Sequence, residues 1–280
     1  MQERILITGA KGQLGLELTK RLKKAVTADI SELDITDLEA VQAFVKKNKI
    51  GVIVNAAAYT AVDAAEDDDV TAYKVNVLGP ENLAKTGCKI VHISTDYVFD
   101  GKGCKPYLPY DETKPLSVYG KTKLKGEQAV LKNAKEAVII RTAWLYSEYG
   151  KNFVKTMIKL GCEKEKIGVV ADQIGTPTYA GDLADAIVNI LPQINEKIKG
   201  VYHFTNEGVC SWFDFATAVM EMAKLKCKVE PLASSAYPTK AVRPFYSVLD
   251  KSSIKERFGI QIPYWRESLK KCIKELHKIA

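Results

Sequence analysis

The chain opens on R-I-L-I-T, residues 4–8, an apolar run of strand length that ends at a glycine. Leucines at 14, 18 and 22 then recur every four residues, which is the spacing of one helical face. Residues 26–29 can form a second short strand, and Thr36 or Asp37 can cap a helix running through Val41, Phe44 and Val45. Residues 51–58, G-V-I-V-N-A-A-A, read as a strand apolar on both faces, as the strands of a helix-covered parallel sheet are. The alternation continues with a helix over 70–85, a strand over 90–94, a loop rich in Gly and Pro, a helix over 118–132 and a strand over 137–141. Strands and helices in turn predict βαβ units, hence an α/β fold with a Rossmann-type doubly wound parallel sheet. From about Gly150 the rhythm loosens, with strands expected at 167–170 and 201–204. The expected division is a first domain over 1–149, with later strands returning to it, and a smaller C-terminal α/β lobe over 150–280.

Composition narrows the functional classes. Of 280 residues, 46% are hydrophobic and 27% charged, which suits a globular chain and excludes a disordered or disulfide-dense one. No apolar run approaches the roughly 18 residues that suggest a membrane span. The first residues lack the features of a signal peptide, so a cytoplasmic location and no membrane partner are expected. The net charge is +7, yet only six of the basic residues are Arg and none forms a long block. Nucleic acid is therefore not an expected partner, whereas a positive field favours an anionic ligand. The six cysteines form no C-x-x-C pair, and His92, His203 and His277 stand singly. Reduced thiols, and no metal site, are expected.

Three constellations carry candidate chemistry. Gly9-Ala10-Lys11-Gly12-Gln13-Leu14-Gly15 places a G-x-x-G-x-x-G turn between the first strand and its helix. Such glycines let the backbone approach a pyrophosphate at a helix N-terminus. Asp29, at the end of the second strand, stands where a carboxylate binds ribose hydroxyls. A dinucleotide-binding first domain follows. Asp29 would repel a 2′-phosphate and Lys11 would attract one, so either NADPH or NADH is expected to be accepted. The second constellation is Tyr119 and Lys123, four apart and so on one helical face. A neighbouring ammonium is expected to lower the pKa of the phenol and equip it for proton transfer at a carbonyl. The third is His92-Ile93-Ser94-Thr95-Asp96-Tyr97, where Thr95 falls at a strand's carboxyl end and can hold a substrate carbonyl. Taken alone, it is equally a strand end closed by turn residues.

With these elements in order, the chain resembles the extended short-chain dehydrogenase/reductases. I-S-T-D-Y-V-F-D-G, E-T-K-P-L-S-V-Y-G-K-T-K-L-K-G-E, R-T-A-W-L-Y, N-F-V-K-T-M and D-Q-I-G-T-P-T resemble the dTDP-4-dehydrorhamnose reductase family, as do Tyr237-Pro238-Thr239 and Arg243-Pro244. The resemblance spans nearly the whole chain. It implies reduction of the 4-keto group of a dTDP-linked 4-keto-6-deoxy sugar, dTDP-6-deoxy-L-lyxo-4-hexulose, to dTDP-L-rhamnose. In that scheme Tyr119 is the general acid, Lys123 holds the ribose and tunes Tyr119, and Thr95 binds the carbonyl. Asp96, Tyr97 and Trp144 would touch the sugar, with Asn152, Phe153 and Arg243 in segments expected on the nucleotide side. Asp34, Ile35, Ala56, Ala57, Ala58 and Tyr59 match the family's adenine and ribose contacts. Some members form magnesium-bridged homodimers through glutamates. Glu17 fits the first such position, no second glutamate is evident, and a structural metal is not expected, while a homodimer stays open.

Two rival readings remain. One is another nucleotide-sugar epimerase or reductase of the same superfamily. Dehydratases there follow the Thr with an Asp-Glu pair, and here Thr95 precedes Asp96-Tyr97. The other is a non-catalytic NAD(P)-binding regulatory subunit.

Overall fold

The computed structural model describes residues 3–279. Its first half runs β1 (Arg4–Thr8), α1 (Gln13–Arg21), β2 (Val26–Ala28), α2 (Leu38–Asn48), β3 (Ile50–Asn55), α3 (Asp69–Tyr73), α4 (Gly79–Ala84), β4 (Lys89–Thr95), α5 (Val118–Asn133) and β5 (Ala137–Thr142). The second half adds β6 (Leu145–Tyr146), α6 (Phe153–Glu163), β7 (Lys166–Val170), β8 (Ile174–Gly175), β9 (Thr178–Tyr179), α7 (Ala180–Ile190) and β10 (Gly200–His203). It ends with β11 (Cys210–Ser211), α8 (Trp212–Met222), β12 (Lys228–Leu232), α9 (Ser252–Phe258) and α10 (Trp265–Ile279). The main sheet has six parallel strands in the order β10-β5-β4-β3-β1-β2. The order turns back between β1 and β3, so the crevice for a ligand lies beyond the carboxyl ends of those strands.

Alternating side chains send each strand into two cores. Ile7, Val52, Val54, Val91 and Ile140 pack against Leu14 and Leu18 of α1 and Leu183, Ile187 and Ile190 of α7. Their neighbours Leu6, Ile53, Ile90 and Ile139 face Val41 and Val45 of α2, Leu83 of α4 and Val130 of α5. Both sheet faces are therefore covered, which is why β3 and β4 are apolar along most of their length. A third core sits apart. Val154 and Met157 of α6, Phe215 and Val219 of α8, and Trp265 and Leu269 of α10 pack with Ile167 and Val169 of β7. The C-terminal half thus supplies α7, β10 and α9 to the main sheet as well as its own smaller lobe. Among the described residues, no helix is long and apolar enough to cross a membrane.

Two local departures from the periodicity shape the site. The apolar run expected as strand through residue 58 leaves the sheet after Asn55. Ala56–Ala58 line the crevice instead. The helix expected over 70–85 is broken by a π stretch at Lys74–Leu78. The wider turn carries Asn76, wholly buried, whose amide clamps Tyr59 by accepting its N–H at 2.9 Å and donating to its C=O at 3.1 Å.

Candidate active site

A cleft of about 860 Å³ lies beyond the carboxyl ends of β1, β3, β4 and β5. Its floor is the glycine turn. Gly9 has φ +66°, and a Cβ there would stand 2.6 Å from Ala57 N, so the turn is pressed against the chain leaving β3. A Cβ on Gly15 would meet Gly9 O and stand 2.6 Å from Ala10 Cα, so α1 can approach its own turn only without a side chain. Gly12 is the N-cap of α1, no side chain caps that end and no acidic residue occupies the first turn. Free N–H groups, a helix dipole and no competing charge fit the pyrophosphate of a dinucleotide.

The residues expected to hold a cofactor gather on the same cleft: Gly9, Lys11, Gly12, Gln13, Leu14, Gly15, Asp29, Asp34, Ile35, Ala56, Ala57, Ala58 and Tyr59 all line it. Asp29 Oδ2 accepts the Lys11 backbone N–H at 3.0 Å. Asp34 Oδ1 accepts the N–H and the hydroxyl of Thr36, both at 2.8 Å, and so closes the turn after β2. A buried polar chain missed by sequence reasoning lies beneath. Thr8 Oγ1 donates to Asn55 Oδ1 at 2.7 Å, Asn55 Nδ2 lies 3.0 Å from His92 Nδ1, and Asn55 Oδ1 also accepts Ala57 N–H at 3.2 Å. It ties β1, β3 and β4 together at the point where Ala56–Ala58 depart. Burial, aided by the nearby Lys123 charge, holds His92 well below its usual pKa, so it sits there neutral.

At the other end, Ser117 caps α5 by accepting the Gly120 N–H at 3.1 Å, which sets Tyr119 and Lys123 on the first turns facing the cleft. Thr95 ends β4 beside them, and its hydroxyl donates to Asp96 Oδ1 at 3.0 Å. Burial pushes the Tyr119 phenol above its usual pKa. Lys123 is 1% exposed, donates to Ile93 O at 2.7 Å and is brought down to about 8 by burial, which the Glu127 charge opposes. In this structure burial sets the direction of the Tyr119 shift, while the Lys123 ammonium is engaged with the Ile93 carbonyl. Asp96, 1% exposed, is raised to about 6 by burial, against the hydrogen bond from Thr95. Lys123 is in turn backed by Glu127, whose carboxylate is paired with Arg141 at 2.9 and 2.7 Å and accepts Ser94 Oγ at 2.5 Å.

The sugar-side candidates divide. Asp96, Tyr97 and Trp144 line the cleft. Tyr97 stands edge-on to Tyr119 with ring centroids 5.5 Å apart. Trp144 has φ +50°, a strained backbone at the cleft wall, and stacks on Trp212 at 3.6 Å. Asn152, Phe153 and Arg243 do not line it. Asn152 caps α6 and donates to Gln13 Oε1 at 3.0 Å, which positions a residue that does. Phe153 packs on Trp212 at 4.6 Å, behind Trp144. Arg243 pairs with Asp63 at 2.5 Å and donates to Tyr97 Oη at 3.2 Å on the outer lip. Glu17 is buried and paired with Arg21 and Lys20, and no cluster of three or more His, Cys, Asp or Glu suited to a metal occurs among the described residues.

A doubly wound parallel sheet with a glycine turn at its switch point, and Thr, Tyr and Lys converging at the mouth, defines a Rossmann-type protein of the short-chain dehydrogenase/reductase kind. The family described as RmlD substrate binding domain matches residues 3–278. The chain therefore belongs to that family, together with relatives named dTDP-4-dehydrorhamnose reductase. One, from Aggregatibacter actinomycetemcomitans, is 45% identical, with 95% of this chain and 97% of that one covered. The crystal structure of a dTDP-4-dehydrorhamnose reductase from Clostridium acetobutylicum ATCC 824 is similar with a TM-score of 0.94 and 44% identity, over 98% of this chain and 99% of that one. That of a dTDP-4-dehydrorhamnose reductase from Bacillus anthracis str. Ames in complex with NADP has a TM-score of 0.94 and 41% identity, over 98% and 100%.

Proposed function

We propose that the chain reduces the 4-keto group of dTDP-6-deoxy-L-lyxo-4-hexulose to the hydroxyl of dTDP-L-rhamnose, using NADPH or NADH. A dinucleotide held by the glycine turn, Asp29 and Lys123 would supply the hydride that carbon 4 takes up. Thr95 donates a hydrogen bond to the carbonyl oxygen, exchanging its present acceptor, Asp96, for the substrate. Tyr119 gives its proton to that oxygen as charge develops, a step that general acid catalysis speeds by roughly 100- to 10,000-fold. Lys123 holds the ribose and, one helical turn from Tyr119, offsets the charge of the phenolate left behind. The Glu127–Arg141 pair fixes the helix face that carries Lys123. Tyr97 and Trp144 form the wall against the sugar.

The observation that carries this reading is the convergence of Thr95, Tyr119 and Lys123 on the cleft that begins at the glycine turn, with the phenol buried and so shifted toward its protonated form. The relatives' names support the sugar. The test supplies the 4-keto sugar, freshly generated, with NADH or NADPH and follows dinucleotide oxidation and product by NMR. Formation of dTDP-L-rhamnose is expected. A protein that binds the dinucleotide but neither oxidises it nor forms product would overturn the reading in favour of a regulatory subunit.

A further inference from the structure

The adenosine end of the cleft holds a polar arrangement that hydride transfer does not use. Asp29 closes β2 with each carboxylate oxygen on a backbone N–H, Oδ2 on Lys11 at 3.0 Å and Oδ1 on Ile30 at 2.9 Å. Glu32, three residues further on, bridges this group. Its Oε2 accepts the Asp29 N–H and its Oε1 accepts from Lys11 Nζ, both at 2.9 Å. Lys11 Nζ also donates to Ser31 Oγ at 2.9 Å. Lys11, Asp29 and Ile30 line the cleft, whereas the Glu32 carboxylate stands behind Lys11. Lys11 therefore ties two carboxylates together where the ribose hydroxyls belong, Asp29 through its backbone N–H and Glu32 through its ammonium.

Resting on the dinucleotide reading above, we propose that Glu32 sets the balance between the two dinucleotides, by holding Lys11 in an ion pair with which a 2′-phosphate has to compete. A free 2′-hydroxyl makes no demand on Lys11, because it can donate to Asp29 directly. A 2′-phosphate brings a charge of about −1.5 to −2 beside Asp29, where Lys11 is the cleft-lining cation in contact with that residue. It has to share the ammonium with Glu32, whose like charge also opposes it. The carboxyl of Glu32 is held near about 2, chiefly by Lys11, so the competing anion is present throughout the neutral range. The sequence placed Asp29 and Lys11 in opposition, and the structure adds the residue that keeps Lys11 from answering.

The test measures dissociation constants for NAD+ and NADP+ on the full chain by calorimetry, without sugar, so that hydride transfer plays no part. Both groups are well exposed, at 66% for the Lys11 side chain and 46% for Glu32, so Glu32→Gln is expected to fold normally. It should move the ratio of the two constants toward NADP+ by about 5- to 10-fold, the scale of freeing one solvent-exposed ion pair and removing one like charge. In a Lys11→Ala background the same substitution should move the ratio by less than about 2-fold. A ratio within about 2-fold of native in Glu32→Gln, or a full shift that survives the loss of Lys11, would overturn the proposal. Binding of neither dinucleotide would overturn the reading it rests on as well, whereas binding of both with an unmoved ratio removes only the role of Glu32.

Discussion

Substituting Gly15 by Ala tests whether the turn must lie as close to α1 as the structure places it. The added Cβ would stand 2.6 Å from Ala10 Cα and 2.7 Å from Ala10 C, with Gly9 O also in the way. Carbon atoms rest at about 3.5 Å, so the turn and the helix must part by about 1 Å. Neither side can yield easily. Gly9 already adopts φ +66° and is backed by Ala56 and Ala57, and α1 is fixed by the fully buried Leu18. A displacement of about 1 Å at a positioned site costs on the order of 100-fold, and here it falls on the N–H groups proposed to meet the pyrophosphate. Gly87→Ala is the control. Gly87 also has a positive φ, +79°, but nothing lies within 4 Å of its Cβ, so it carries only the left-handed penalty of about 1–2 kcal/mol. Calorimetric binding of NADH and NADPH, with thermal unfolding alongside, separates the two. Gly15→Ala should remain folded and lose about 100-fold in affinity, while Gly87→Ala should lose stability and bind as the native chain does. Affinity within about 3-fold of native in folded Gly15→Ala would refute the reasoning.

The remaining predictions concern the other end of the cleft and its support. Tyr119→Phe should retain dinucleotide binding and lose about 100-fold or more in kcat, and unchanged turnover would remove Tyr119 from its role. Burial brings Lys123 to about 8, so its charge is present below that value and lost above it. Accordingly kcat/KM should fall as pH rises through about 8, and a profile flat to about pH 9.5 would contradict the need for the ammonium. The same depression makes the unfolded chain bind more protons between about 8 and about 10.4, so the Lys123 contribution to stability rises with pH across that window. Glu127→Ala strands the buried Arg141 guanidinium and should lower unfolding stability by about 3–5 kcal/mol in a denaturant titration, where a loss below about 1 kcal/mol would contradict the pairing.

The parts of this molecule that were legible in the chain are those with a local cause. β1, β3 and β4 announce themselves because both faces of the sheet are covered, and the glycine turn because close approaches at Gly9 and Gly15 demand it. Tyr119 and Lys123 needed only helical spacing. What escaped depends on partners distant in sequence. The run at 51–58 is apolar throughout, and nothing local marks Asn55 as the last strand residue, since Thr8 and His92 hold it there. The π stretch around Asn76 exists to clamp Tyr59, seventeen residues earlier. The burial of Tyr119 is hidden in the sequence for a related reason. Helical spacing gives the neighbour of a group but not its burial, and burial dominates here. Asn152 and Phe153 were placed by motif at the ligand, yet they support Gln13 and, through Trp212, Trp144, which the ligand would meet.

The most direct test of the central claim is where the hydride goes. The 4-keto sugar would be incubated with NADH or NADPH carrying deuterium on the transferring face of the nicotinamide, and the product examined by NMR and mass spectrometry. One deuterium at carbon 4 of dTDP-L-rhamnose, accumulating in step with dinucleotide oxidation and about 100-fold more slowly with Tyr119→Phe, is the expected result. Unlabelled product, or label at any other carbon, would contradict direct reduction of the carbonyl in this cleft.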